Sequence, residues 1–148
     1  MGRINVGRVV GGGLLAGLVL NVQDFLVHGV MLKADWEQAM TALGKPGAMN
    51  DQAVAVFVVI DFLIGIWALW LYAAMRPRFG PGPRTAVIAG LTAWVVFALF
   101  TVSQMPMGLF STKLLLLPLA IALVVAPLAV AAGAYLYKEE EAGVMAPA

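Results

Sequence analysis

Charged and strongly polar residues interrupt the chain at long intervals, and almost everything between them is apolar. Val9 to Leu32 separates Arg8 from Lys33, and Ala53 to Met75 separates Gln52 from Arg76. Thr85 to Thr112 separates Arg84 from Lys113, and Leu114 to Tyr137 separates Lys113 from Lys138. A helix needs about 20 apolar residues to cross the ~30 Å hydrocarbon core of a bilayer. Each stretch is long enough, and none shows the alternation of a barrel strand. Helices also satisfy their own backbone in lipid. The expected fold is all-α, an integral membrane four-helix bundle. It forms a single membrane domain over residues 1–148, with spans at about 9–32, 53–75, 85–107 and 114–137.

The segments between spans carry their own signals. Loop 33–52 contains a short amphipathic helix, expected over Ala34–Leu43 with Trp36, Met40 and Leu43 on one side. Asp35 is its candidate N-cap, and Gly44 with Pro46 ends it. Such a segment is expected to lie along the outer membrane surface. Loop 76–84, rich in Pro and Gly, reads as a breaker-rich turn. The tail 138–148, with Glu139, Glu140 and Glu141, reads as solvated. The first apolar stretch is too long for a signal peptide, and no small-residue cleavage site follows it.

Charge placement sets the orientation. Arg3, Arg8, Arg76, Arg78, Arg84 and Lys138 fall on one side, and only Lys33, Lys45 and Lys113 on the other. Positive loops stay cytoplasmic. Both termini are therefore expected in the cytoplasm, and the chain in the inner (cytoplasmic) membrane. Trp67, Trp70, Tyr72, Tyr135 and Tyr137 gather toward the inner ends of spans two and four, as an interfacial aromatic belt would.

Composition narrows the chemistry. The chain is 62% hydrophobic and 11% charged, against about half and about a quarter in soluble domains. A nucleic-acid binder would need a basic surface, so no such partner is expected. Without cysteine, disulfides, thiolate chemistry and Cys-bound zinc are excluded. No catalytic triad, phosphate-binding glycine loop or metalloprotease helix motif is present. Gly11-Gly12-Gly13 lies within a span and reads as packing or flexibility.

The informative residues are those that do not belong in lipid. Span one carries Asn21, Asp24 and His28, the single histidine. At about 100° per residue these fall within an arc of roughly 60°, with Gly17 on the same arc and Gly13 beside it. Span two carries one acid, Asp61, on a face with Gly65, Ala68 and Tyr72. Gly13, Gly17, Gly65 and Ala68 are the expected helix-packing positions, since small residues let backbones approach. Asp24 and Asp61 lie at similar depths, and Val22–Val27 echoes Val59–Ile64 in sequence. An uncompensated charge at mid-bilayer costs about 2.5–3.5 kcal/mol on insertion scales. The acids are therefore expected to be neutral, or Asp24 to share a proton with His28. The cluster Asn21, Asp24, His28 and Asp61 reads as a proton or cation relay, as the floor of a ligand pocket, or as interhelical glue. For Asn21 glue is the expected role.

Two further features concern spans three and four. Pro106 should break span three near its outer end, placing Met105 and Met107 on the side of His28. Thioether and imidazole suit Cu(I), so these three are the candidate metal ligands, although methionine mostly fills space. Pro118 and Pro127 are expected to kink span four.

The layout resembles that of small four-span bacterial membrane proteins of the domain-of-unknown-function type. The features shared are the four spans, the glycine-rich first span and the outer segment Asp35-Trp36-Glu37. The resemblance implies the fold but no substrate. Thiol-dependent quinone reductases are excluded by the absent cysteines, and the signatures of glutathione-type membrane enzymes are missing. The leading expectation is a non-enzymatic accessory protein, or a bundle that self-associates through its glycine faces, needing no cofactor. Its partners would be the lipid bilayer and a second copy or a larger membrane complex. The alternative is a small oligomeric proton- or cation-coupled transporter or channel-like protein using Asp24, Asp61 and His28. A third reading is an outer-face metal or small-ligand binder.

Overall fold

The computed structural model describes residues 4–138. The expectations for Arg3 and for Glu139–Glu141 fall outside the described residues. Five α-helices make up the fold: α1 (Val6–Asp24), α2 (Lys33–Ala42), α3 (Asp51–Phe79), α4 (Pro83–Gln104) and α5 (Thr112–Leu136). No strand occurs among the described residues. A π-helical segment, Phe25–Met31, continues α1, and a 3-10 turn, Met105–Met107, ends α4. Among the described residues 4 helices are thus long and apolar enough to cross a membrane: Val6–Met31, Asp51–Phe79, Pro83–Met107 and Thr112–Leu136.

Local chemistry sets the ends. Asn5, Asn50 and Ser111 cap α1, α3 and α5, each side chain accepting from the backbone N–H three residues on, which satisfies a donor the helix leaves orphaned. Gly108, in the left-handed region at φ 64°, stops the turn after α4. The α2 cap differs from expectation. The helix starts at Lys33 behind Leu32, with no side-chain cap, and Asp35 lies within its first turn. Asp35 instead receives Lys113 Nζ at 2.8 and 2.9 Å. Gly44, at φ 72°, follows the end of α2.

Loop 76–84 is also shorter than the sequence suggested. α3 runs on through Arg76 and Pro77 to Phe79. A proline this close to a helix end frees only one carbonyl, so the last turn survives. Gly80 and Gly82, at φ 81° and 123°, make the reversal, and Pro83 opens α4 at a position where its missing N–H costs nothing. The Gly82 N–H donates to Tyr72 Oη at 3.2 Å, and Thr85 Oγ1 donates to the Gly80 carbonyl at 2.6 Å.

The helices pack as α1 against α3 and α5, and α4 against α5 and α3. Glycine makes the closest approaches. A Cβ on Gly13 or Gly17 would meet the backbone of Ile66 or Phe62, and one on Gly65 would meet Gly13 and Gly17. Gly12 and Gly133 meet across α1 and α5, and Gly90 lies against the Pro127 backbone across α4 and α5. The interior is therefore built of small residues, among them Ala16, Ala68, Ala73, Ala86, Ala89 and Ala129. Large apolar side chains point outward instead, such as Leu18, Leu63, Leu99, Phe100, Val124 and Leu128.

Both described chain ends lie at the α3–α4 end of the molecule. The Asn5 N–H donates to Tyr137 Oη at 3.4 Å, and Arg8 Nη1 donates to the Leu136 carbonyl at 3.3 Å. Tyr72 and Tyr137 meet edge to face, with ring centroids 6.0 Å apart. The Arg76 guanidinium lies over both rings, at 5.9 and 5.1 Å. The expected aromatic belt therefore divides. Trp67, Trp70 and Tyr135 are exposed, whereas Tyr72 and Tyr137 are buried and close the bundle from within.

Candidate functional site

A cavity of about 280 Å³ runs between the four long helices, starting at the end that carries α2. Small-molecule sites typically span about 300–1,000 Å³, so this one sits at the lower limit. It is lined unevenly. Gln23, Asp24, His28, Asp61, Thr101 and Gln104 supply polar side chains. Toward the α3–α4 end the walls become Ala16, Gly65, Ala68, Ala126, Ala129 and Val130. Trp36, Trp94 and Phe97 add aromatic surface. Among the described residues no lysine or arginine lines it.

Helix geometry explains which polar groups arrive there. Asp61 and Gly65 stand one turn apart on the buried face of α3, and both line the cavity. On α1 the lining positions Ala16, Leu20, Gln23 and Asp24 follow helical spacing. After Asp24 the helix changes character. The Leu32 N–H donates to the Val27 carbonyl at 2.9 Å, five residues back. A π segment turns by less per residue than an α-helix, and such segments recur at functional sites. The constant 100° step behind the expected arc therefore holds only as far as Asp24.

Asp61 is 8% exposed and Gln23 is 9% exposed. The Asp61 carboxyl makes no hydrogen bond with any described residue. Gln23 donates from Nε2 to Asp24 Oδ1 at 3.1 Å, and its Oε1 is buried without a partner. An unsatisfied buried acceptor costs about 1–3 kcal/mol. Asp24 and His28 are half-buried, with Nε2 of His28 4.0 Å from Asp24 Oδ1. On its other nitrogen, His28 Nδ1 accepts from Trp36 Nε1 at 3.0 Å. Trp36 also packs edge to face on Phe110, 5.4 Å between centroids. The α2 helix is thereby pinned across the polar end of the cavity.

Of the residues singled out from the sequence, the fold brings Asp24, His28 and Asp61 to one cavity and takes Asn21 elsewhere. Asn21 Nδ2 donates to the Gly17 carbonyl at 2.9 Å and across to the Val58 carbonyl at 3.3 Å, so it ties α1 to α3. Three residues separate Asn21 from Asp24, a rotation of about 60°, which is enough to move it from the cavity face to the α3 contact. Gln23, Trp94, Thr101 and Gln104 were not foreseen as site residues. Nothing local marked Gln23, which lies about 100° from Asp24 on the side that meets α5. The echo between Val22–Val27 and Val59–Ile64 does not extend to geometry, since the first segment enters the π turn and the second stays α-helical.

His28 as placed is not a free metal ligand. Nδ1 accepts a hydrogen bond, so in the neutral ring Nε2 carries the proton. A ligating histidine ordinarily binds through one nitrogen and donates from the other. Met105 and Met107 sit in the 3-10 turn, Met107 exposed. Among the described residues no group of three or more His, Cys, Asp or Glu gathers to hold a metal ion.

No protein-family model, no curated protein and no solved structure matches this chain. What the fold and site define is a class: an all-helical protein with four helices of membrane-crossing length and apolarity, enclosing a cavity with a polar end.

Proposed function

We propose that the protein is a four-span integral membrane protein of the cytoplasmic membrane that binds a small ligand in its interior cavity. The outward-facing Leu, Val and Phe side chains support the membrane assignment. At most 33% of the apolar window of any long helix is buried, an arrangement suited to lipid, where small residues rather than large ones make helix contacts. Arg8, Arg76, Arg78, Arg84 and Lys138 belong to the α3–α4 end, and Lys33, Lys45 and Lys113 to the α2 end. By the positive-inside rule the α3–α4 end is cytoplasmic, with both termini, and α2 lies at the outer surface.

One observation carries the ligand-binding reading: Asp24, Asp61 and Gln23, from two helices, line a single cavity. A bundle that only packs has no reason to keep a buried carboxyl without a hydrogen bond beside a void. Gly13 and Gly17, expected among the packing glycines, meet α3 inside the chain, and Gly12 meets α5. The site is binding rather than conducting. Past Ala68 and Val130 the interior closes on Leu69, Tyr72, Ala73, Ala86 and Ala89.

The chain has no cysteine, so single cysteines can report access. A small charged thiol reagent added from outside should label Thr101→Cys and Gln104→Cys. It should spare Val96→Cys, which faces outward from the middle of α4. Both cavity positions remaining unlabelled in folded protein would favour a dry accessory bundle instead.

A further inference from the structure

The chemistry of the lining narrows the ligand, on the premise that the cavity is a binding site. Two carboxyls meet at its polar end. The Asp61 carboxyl makes no hydrogen bond among the described residues, and Asp24 uses one oxygen for Gln23. An anion would face two carboxyls with no described Lys or Arg to offset them. A bare divalent cation would want about six oxygen ligands, more than two carboxyls and an amide supply. A proton alone needs no apolar chamber. Beyond the polar end the walls are aromatic and then Ala-rich, with Trp94 and Phe97 exposing ring surface that attracts organic cations. Trp94 is held by its Nε1, which donates to the Leu119 carbonyl of α5 at 2.9 Å. The volume, about 280 Å³, equals roughly nine waters at ~30 Å³ each, so the ligand is small.

We propose that the cavity binds a small protonated amine with an apolar body. The ammonium sits between Asp24 and Asp61 and donates to their carboxyl oxygens. The body lies against Trp94, Phe97 and the alanine wall. An ammonium group provides three donors and no acceptor, which complements the two carboxyls gathered here. His28 and Trp36 stand over it at the outer end, so the amine enters past α2.

The test uses three probes of one skeleton: 2-phenylethylamine, the neutral 2-phenylethanol and the anionic phenylacetate. Binding to the full chain in lipid nanodiscs is read by calorimetry at neutral pH. The amine should bind more tightly than the alcohol, and phenylacetate not at all. Asp61→Asn should weaken the amine about tenfold or more, the loss of a charge-assisted bond, and weaken the alcohol by clearly less. Asp24→Asn is the second variant, read the same way should Asp61→Asn not fold. Amine and alcohol binding equally, before and after substitution, would overturn the amine assignment and leave the cavity as a neutral-ligand site. Preference for phenylacetate, or no amine binding, would overturn it as well. Failure of the broader reading is separate, and shows as unlabelled Thr101→Cys and Gln104→Cys.

Discussion

Trp36 Nε1 donates to Nδ1 of His28 at 3.0 Å, joining the short helix α2 to the π segment that follows α1. An indole N–H is a donor only, so Nδ1 must present its lone pair and the imidazole proton of the neutral ring sits on Nε2. That nitrogen faces Asp24, 4.0 Å away. One tryptophan thus decides the tautomer of the single histidine and aims its N–H at an acid of the cavity.

Nitrogen NMR of His28 provides a direct check, because one histidine gives one set of signals. The native protein should show the Nε2–H tautomer, with Nδ1 a hydrogen-bonded acceptor. Trp36→Phe should release the ring to a tautomer mixture and cost about 0.5–1.5 kcal/mol of stability, the net worth of one hydrogen bond. A native spectrum with the proton on Nδ1 would contradict the geometry.

The glycine contacts on α1 should be intolerant in a position-specific way. Gly13→Leu and Gly17→Leu put side chains into the backbone of Ile66 and Phe62, whereas Gly11 has nothing within 4 Å of its Cβ position. Overpacking costs about 1–3 kcal/mol, occasionally more. Thermal unfolding in detergent should show large losses at 13 and 17 and almost none for Gly11→Leu. Equal tolerance at all three would mean that α1 and α3 do not pack through this face.

Asn21 should separate glue from site. Asn21→Leu removes its bonds to Gly17 and Val58, and polar contacts between membrane helices average about 0.6 kcal/mol, at most about 1.7. A modest fall in stability is expected with cavity ligand binding unchanged. A binding defect as large as that of Asp61→Asn would place Asn21 in the site.

The Asp35–Lys113 pair is the exposed tie between α2 and the start of α5, with Lys113 side chain 57% exposed. Exposed pairs contribute about 0–1 kcal/mol and are screened by salt. Asp35→Asn should therefore lower stability by less than about 1 kcal/mol, with the difference vanishing at high ionic strength. A salt-independent loss would show that Asp35 acts otherwise.

Topology can be read with reporter fusions. Fusions after Gly82 and at the C-terminus should report cytoplasmic, and an insertion between Gln38 and Gly47 external. A cytoplasmic signal from the loop holding Trp36 would reverse the proposed orientation.

The apolar runs by themselves determined four long helices, because only a helix satisfies the backbone over such a length in lipid. Helical spacing likewise placed Asp61, Gly65, Ala68 and Tyr72 on one face, which is the buried face of α3. Spacing could not say what each face meets. Asn21 and Asp24 differ by only about 60° of rotation, yet one meets the Val58 carbonyl and the other a cavity. That partition depends on where α3 and α5 stand around α1, set by glycines whose partners are far away in the chain. Gln23 joins the site because α1 is wedged between two helices, and His28 because a π segment and the Trp36 indole turn and hold its ring. These are consequences of long-range packing, and a local pattern carries no record of them.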